Sequence, residues 1–152
     1  MKQDVLIRAS RELVYDLQLD GADFASAGGF ETAIPVSLFT DARAAASQVA
    51  DPRSRRGWIG NVLQEGFRQL GSTAWVYEQS RMDQRTVNGL REAVYGALAW
   101  MVEDRAVQSI DVKVVPTQHH VTIEIAMHNQ DGSVTGFNAL WRSTSVAAIP
   151  VA

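Results

Sequence analysis

The chain has no cysteine, so disulfide and thiolate chemistry are both excluded and a cytosolic site of synthesis is favoured. Lysine is almost missing. Only Lys2 and Lys113 carry it, and the other twelve of the 14 cationic residues are arginine. Strong net charge is also lacking: −3 at pH 7, with a sequence pI of about 5.5, argues against a general nucleic-acid binder, which normally presents a basic domain. There is no long uncharged apolar run, so no transmembrane helix is expected, and MKQDVLIRAS has no signal-peptide core. No phosphate-binding glycine loop, dinucleotide-binding glycine pattern or serine-hydrolase elbow occurs. What remains is 152 residues, 46% hydrophobic and 20% charged, enough for one domain with a real core. We read one domain over 1–152, with an N-terminal arm at 1–12 and a C-terminal tail at 143–152.

In LVYDLQLDG, Leu13, Tyr15, Leu17 and Leu19 share one parity while Asp16, Gln18 and Asp20 take the other. That alternation predicts a half-buried strand closing at Asp20 and Gly21, with room near Asp23 to Ser26 for only a short partner strand. A helix is predicted to begin at Glu31, aligning Ile34, Leu38 and Ala42, with Pro35 tolerated in its first turn. From Ala44 to Ser72 glycines and Asp51-Pro52 break every period. The expectation there is a long loop with one short helix near Val62 to Leu70, and STAWVYE as a short extended piece. Asp83 is a good N-cap for a helix whose apolar stripe is Val87, Leu90, Val94, Leu98 and Met101. The period then falls to two. Ile110, Val112 and Val114 share one face; so do Val121, Ile123, Ile125 and Met127, and then Phe137, Ala139 and Trp141 beyond the Asp131-Gly132 turn. The fold class is α+β: a long helix packed on a small antiparallel sheet, made of a C-terminal three-stranded meander plus an N-terminal strand or hairpin. The uncharged tail STSVAAIPVA is expected to lie exposed or docked on a neighbour.

Candidate chemistry is thin. His119 and His120 are adjacent on an extended segment, so they point to opposite faces and do not share a metal easily; His128 stands apart. Asp16, Asp20, Asp23 and Glu31 read as strand-edge and turn carboxylates rather than as a pair facing across a cleft. No catalytic residue, cofactor or metal site is expected, and the protein is read as a non-enzyme. The conspicuous feature is DPRSRRGW at 51–58, where Arg53, Arg55 and Arg56 crowd against Trp58. Arginine's planar fork pairs with carboxylates, stacks on rings and is enriched at protein interfaces. A nucleic-acid patch, an anion pocket and a protein–protein contact are all compatible with the cluster, and a GC-rich genome yields the same arginine bias without function. Trp58 is either a contact residue or a plug that seats the loop on its own domain.

The ordered set DLQLDGADF, SLFTDARA, RRGWIGN, GSTAWVYE, the helix ending ALAWMVEDRAV and then paired strands resembles the phage Mu gene 46 type of baseplate protein. That type is similar to the gene 25 type wedge proteins, or sheath initiators, of contractile tails, and the likeness runs from about Leu13 to Trp141. The gene 25 type carries Glu-Pro-Arg after its long helix; here Glu103 and Arg105 hold the outer positions and Asp104 replaces proline, whereas many Mu-like relatives have glycine where Arg105 stands. The Arg-Arg-Gly-Trp segment matches at Arg55, Arg56, Gly57 and Trp58. The resemblance implies the gene 25-like wedge fold and a virion structural protein, assembled in the host cytoplasm and located in the tail baseplate. It implies about six copies around the tail axis, with other wedge proteins, tail tube, sheath and central hub or spike as partners and neither membrane nor nucleic acid. Arg53, Arg55, Arg56, Trp58, Glu103 and Arg105 become partner-binding candidates. The meander's edge at Ser133 to Arg142 and the N-terminal arm become candidates for strand addition to a neighbour's sheet. A peptidoglycan-cleaving tail hydrolase and a small nucleic-acid-binding module are the rival classes.

Overall fold

A computed structural model describes residues 4–9, 15–24, 26–27, 30–64, 66, 68–117, 120–142 and 145–149. The chain begins with six short strands: β1 (Asp4–Val5), β2 (Ile7–Ala9), β3 (Tyr15–Leu17), β4 (Leu19–Asp20), β5 (Asp23–Phe24) and β6 (Ser26–Ala27). They pair antiparallel as β1 with β6, β2 with β3, and β4 with β5. The alternation in LVYDLQLDG therefore makes two short strands rather than one half-buried strand. Leu17 and Leu19 remain exposed, because their partners are other hairpin strands and not the core; Leu13 lies outside the described residues. Buried Thr32 ties this region to the domain, its Oγ1 donating to Val5 O at 2.7 Å and accepting from Ile7 N at 3.2 Å.

Helix α1 (Ala33–Phe39) buries Ile34 and Leu38 as expected, and Pro35 falls in its first turn, where no backbone donor is lost; Ala42 lies beyond its end, because the chain turns extended at Thr40 and Ala42 N donates to Ser72 O. Helix α2 (Gly60–Leu63) is shorter and earlier than the expected segment at Val62 to Leu70. The reason is long-range: Asn61 accepts from Leu70 N at 2.9 Å and donates to Leu70 O at 2.7 Å, so the intervening chain folds back. STAWVYE is not extended either. Ala74–Tyr77 is a 3-10 turn, begun by Ser72 Oγ accepting from Ala74 N at 3.0 Å.

Helix α3 (Gln84–Glu103) starts where the sequence says, with the Asp83 carboxylate accepting from Thr86 N at 2.8 Å. That bond and the surrounding first-turn donors hold the Asp83 pKa below its ordinary value. The stripe of Leu90, Val94, Leu98 and Met101 is buried. It packs against a four-stranded antiparallel sheet of β7 (Ser109–Pro116), β8 (Val121–His128), β9 (Val134–Arg142) and β10 (Ser145–Ile149), ordered β10-β9-β8-β7. The period-two residues meet across strands: Ile110 faces Met127, Val112 faces Ile125, Ile123 faces Ala139, and Val121 faces Trp141. Cross-strand apolar pairs of this kind set the register, since a one-residue slip would turn the whole face outward.

The three-stranded meander is present and the tail extends it. Ser145–Ile149 pairs antiparallel with β9, so this part of the tail docks on the chain's own sheet rather than on a neighbour's. It also means that Ser133 to Arg142 is not an edge: β9 is hydrogen-bonded on both sides and the outer strands are β7 and β10. A β-forming, uncharged segment satisfies an open row of backbone groups wherever it reaches one, and here the nearest row is its own. No helix among the described residues is long and apolar enough to cross a membrane.

Candidate functional site

The arginine-rich loop is built around an extended rib at 40–44. On one side Thr40 O accepts from Ser72 N at 2.8 Å, Ala42 N donates to Ser72 O at 3.0 Å, and Ala42 O accepts from the Trp75 indole at 2.8 Å. On the other side Ala44 N donates to Arg55 O at 3.1 Å and Asp41 O accepts from Trp58 N at 2.9 Å. The loop is thus clamped along its length, although it contains little regular structure.

Each residue of Arg-Arg-Gly-Trp has a separate task. Arg55 is half-buried and its Nε donates to Ala44 O. Arg56 takes a left-handed backbone conformation, φ +48°, and its guanidinium lies 4.7 Å from the centroid of the Trp75 ring. The same guanidinium pairs with Glu78 at 3.2 Å and with Asp41 at 3.4 Å. Partial desolvation opposes its charge, but the bonds and proximity to Glu78 and Asp41 outweigh that and raise the Arg56 pKa. Gly57 has φ +118°, and a Cβ there would sit 2.9 Å from Arg43 Cβ, so both backbone conformation and space demand glycine. The Trp58 ring folds over Gly60, where any Cβ would meet it at 2.2 Å, and yet 44% of Trp58 stays exposed. Arg53 is a surface residue paired with Asp51 at 3.2 Å; its bonds to the Asp51 carboxylate lower that group's pKa.

Beyond Trp58 the chain presents Ile59, Val62 and Leu63 with 65%, 61% and 76% of their surfaces exposed. Four large apolar side chains on one turn, fixed by the rib and by Asn61, form a compact projection flanked by arginine.

The helix end is organised by a residue from the loop. Glu103 does not bond Arg105; Arg68, from the far end of the loop, takes Glu103 at 3.3 Å and clasps Asp104 with two bonds of 2.8 and 2.9 Å. The Arg68 hydrogen bonds lower the Asp104 pKa. Arg105 has φ +57° and stands just past the helix, its N donating to Val102 O at 3.0 Å while Ala106 N donates to Met101 O at 2.8 Å. That is a Schellman closure, whose left-handed position is usually glycine. Among the described residues Arg105 has no ion-pair partner. The six candidates therefore fall into two groups: Arg53, Arg55, Arg56 and Trp58 on the loop, and Glu103 and Arg105 at the helix end, with Arg68 joining the second to the loop.

Asp41, Arg68, Trp75 and Glu78 escaped sequence reasoning. They lie 15 to 36 residues from the groups they bind, and no local period marks them. The remaining polar candidates stay dispersed. His128 bonds Asp111 at 2.8 Å across the sheet, and Asp20 and Asp23 face each other on an exposed hairpin. His119 lies outside the described residues. Among the described residues no three His, Cys, Asp or Glu side chains converge as metal ligands.

The phage protein GP46 family model matches residues 30–134, from the start of α1 into β9. The chain belongs to the gp46 family, the phage Mu gene 46 type of baseplate protein. It is 31% identical over 122 residues to baseplate protein gp46 of Escherichia phage Mu, covering 78% of this chain and 83% of the relative. It is also 31% identical over 112 residues to the Mu-like prophage FluMu protein gp46 of Haemophilus influenzae, covering 72% and 76% of the two chains. No solved structure matches. The matched span contains the rib, the apolar projection, the Arg68 clasp and α3.

Proposed function

We propose that the protein is a wedge-type, non-catalytic structural subunit that anchors the sheath to a contractile tail's baseplate through its arginine-rich loop. Family membership places it in the virion's tail baseplate. The observation that carries the finer reading is the projection formed by Trp58, Ile59, Val62 and Leu63. An isolated exposed leucine needs no explanation, whereas four apolar side chains on a rigid, arginine-flanked turn have the composition of an interface centre. Wedge proteins, tube and the first sheath ring are the proposed partners, with six copies around the tail axis. Arg56 acts chiefly within the chain, holding the turn in place, while Arg53, paired only with Asp51 on the surface, exchanges that partner for a neighbour's carboxylates. Strand addition is assigned to the outer strand β10 and the N-terminal arm, since β9 is already paired on both sides.

The test is Leu63→Ser and Trp58→Ala in a phage or prophage lacking the native gene. With only about a quarter of Leu63 buried, Leu63→Ser lowers monomer stability by less than about 1 kcal/mol. Losing the other three-quarters from an interface weakens association by about 1–2 kcal/mol, or 5- to 30-fold. Assembled tails should fall sharply with both variants, while urea unfolding of the isolated protein changes little for Leu63→Ser. Normal tail yield with both variants overturns the loop assignment. Sheath nucleation that survives removal of both 1–12 and 143–152 overturns the strand assignment.

A further inference from the structure

Strand β7 is an outer strand: among the described residues it pairs only with β8, so one row of its backbone N–H and C=O groups has no strand partner. An open row of this kind accepts another strand unless charge or shape prevents it. Ile110, Val112 and Val114 face α3, while Ser109, Asp111 and Lys113 lie exposed on the other face. The row closes at Pro116, which has no N–H to give.

Beside that row runs a groove of about 270 Å³, lined on α3 by Arg91, Glu92, Tyr95 and Gly96 and on β7 by Ile110, Asp111 and Val112. Tyr95 is 45% exposed, and nothing stands within 4 Å of where a Gly96 Cβ would be. The groove is therefore open above the middle of the strand, with an exposed aromatic ring at its side. Tyrosine is enriched where proteins meet.

We propose that β7 pairs antiparallel with β7 of a second copy, about a two-fold axis at Val112. In that register Asp111 faces the partner's Lys113, Ile110 faces the partner's Val114 and Ser109 faces the partner's Val115, so SIDVKVV pairs along its whole length. Lys113 is already 3.5 Å from Glu124, so Glu124, Lys113 and the partner's Asp111 form a row of alternating sign across the joint. Opposite charges directly across antiparallel strands stabilise the pair and like charges destabilise it. Centring the axis on Asp111 or on Lys113 sets like charges opposite each other, and centring it farther out shortens the ladder. The axis stands perpendicular to the sheet, so both α3 helices lie on one face, with the two grooves adjoining and each Tyr95 against the groove of the other copy. A two-fold contact needs this self-complementarity, since the same patch serves both sides. The pairing belongs to the free chain and does not rest on the baseplate reading, whose contact surface is the Trp58 projection.

The test is sedimentation equilibrium of the full chain. The mass should rise with concentration from 16.7 kDa toward twice that. A Kd of about 10–100 µM is expected for a contact at the small end of the interface range. Lys113→Asp sets an aspartate against Asp111, and Asp111→Lys sets a lysine against Lys113, so each variant alone should raise the Kd by more than about 10-fold. An equimolar mixture of the two restores both opposite-charge pairs and should dimerise like the parent, which also shows that both variants are folded. Tyr95→Ser leaves β7 untouched and should raise the Kd by about 5-fold or more. A parent that stays monomeric up to about 1 mM, single variants that dimerise as well as the parent, or two folded variants that fail to associate when mixed overturns the proposal. So does a dimer that Leu63→Ser abolishes and the charge changes leave intact, because its contact is then the Trp58 projection.

Discussion

Arg105→Gly should make the protein more stable, although it deletes a charged residue. Arg105 holds φ +57° at the position that closes α3. A left-handed conformation costs an L-residue about 1–2 kcal/mol, and glycine escapes that cost. Glycine loses more backbone entropy on folding, about 0.5–1 kcal/mol, so the net gain is about 0.5–1 kcal/mol. The side chain is exposed and has no ion-pair partner among the described residues, so its removal subtracts little. For a chain of this size that corresponds to a rise of about 1–4 °C in Tm. Arg105→Ala is the control, because it deletes the same side chain and keeps the strained backbone; it should stay within about 0.5 kcal/mol of the parent. Urea unfolding with a constant m-value is the assay. A destabilised glycine variant, or an alanine variant down by more than 1 kcal/mol, refutes the reasoning and gives the guanidinium a stabilising contact. Tail yield is read separately: a stabilised glycine variant that fails to assemble makes Arg105 a partner contact, and one that assembles normally makes the position a helix closure alone.

Gly71→Ala should destabilise by about 2–4 kcal/mol in urea melts, since φ is +115° and a Cβ would lie 2.6 Å from Thr40 O, against the backbone of the rib. Gly96→Ala, mid-helix with nothing within 4 Å of the added Cβ, should instead gain about 0.8–1 kcal/mol by the same measurement. The pKa values of Asp104 and Asp83 are lowered by folding, by the Arg68 bonds and the Thr86 backbone N–H respectively. Their contribution is therefore present above the unfolded carboxylate value of about 3.9 and is lost as pH falls through the lower folded values. Thermal melts from pH 7 to pH 2 should show that decline, and Arg68→Gln should flatten the part due to Asp104. An unchanged slope would mean that the clasp does not form in solution.

How much could be read from the chain differs by region, and the difference has a physical cause. Asp83 and the stripe from Leu90 to Met101 specify α3, because a cap and a 3.6-residue period are both local. The alternation from Ile110 to Trp141 specifies three strands and their register, because a half-buried sheet tolerates no slip. Leu17 and Leu19 show the limit of the same signal. Their alternation is genuine, yet it records only extended backbone, and whether a core lies beneath depends on segments elsewhere.

Arg56 marks the other boundary. From composition and order, the sequence determined an acidic, cysteine-free α+β domain, the long helix, the meander and an arginine–tryptophan cluster resembling that of tail-baseplate proteins. Tertiary structure alone decided where those arginines are spent: Arg56 between Asp41, Glu78 and Trp75, Arg68 across the end of α3, and Ser145–Ile149 on the strand that had looked like an edge. Caps and periods are free energies of neighbouring residues and are written in the local chain. An ion pair across 22 or 36 residues, or an edge strand's choice of partner, depends on which segments the fold brings within reach.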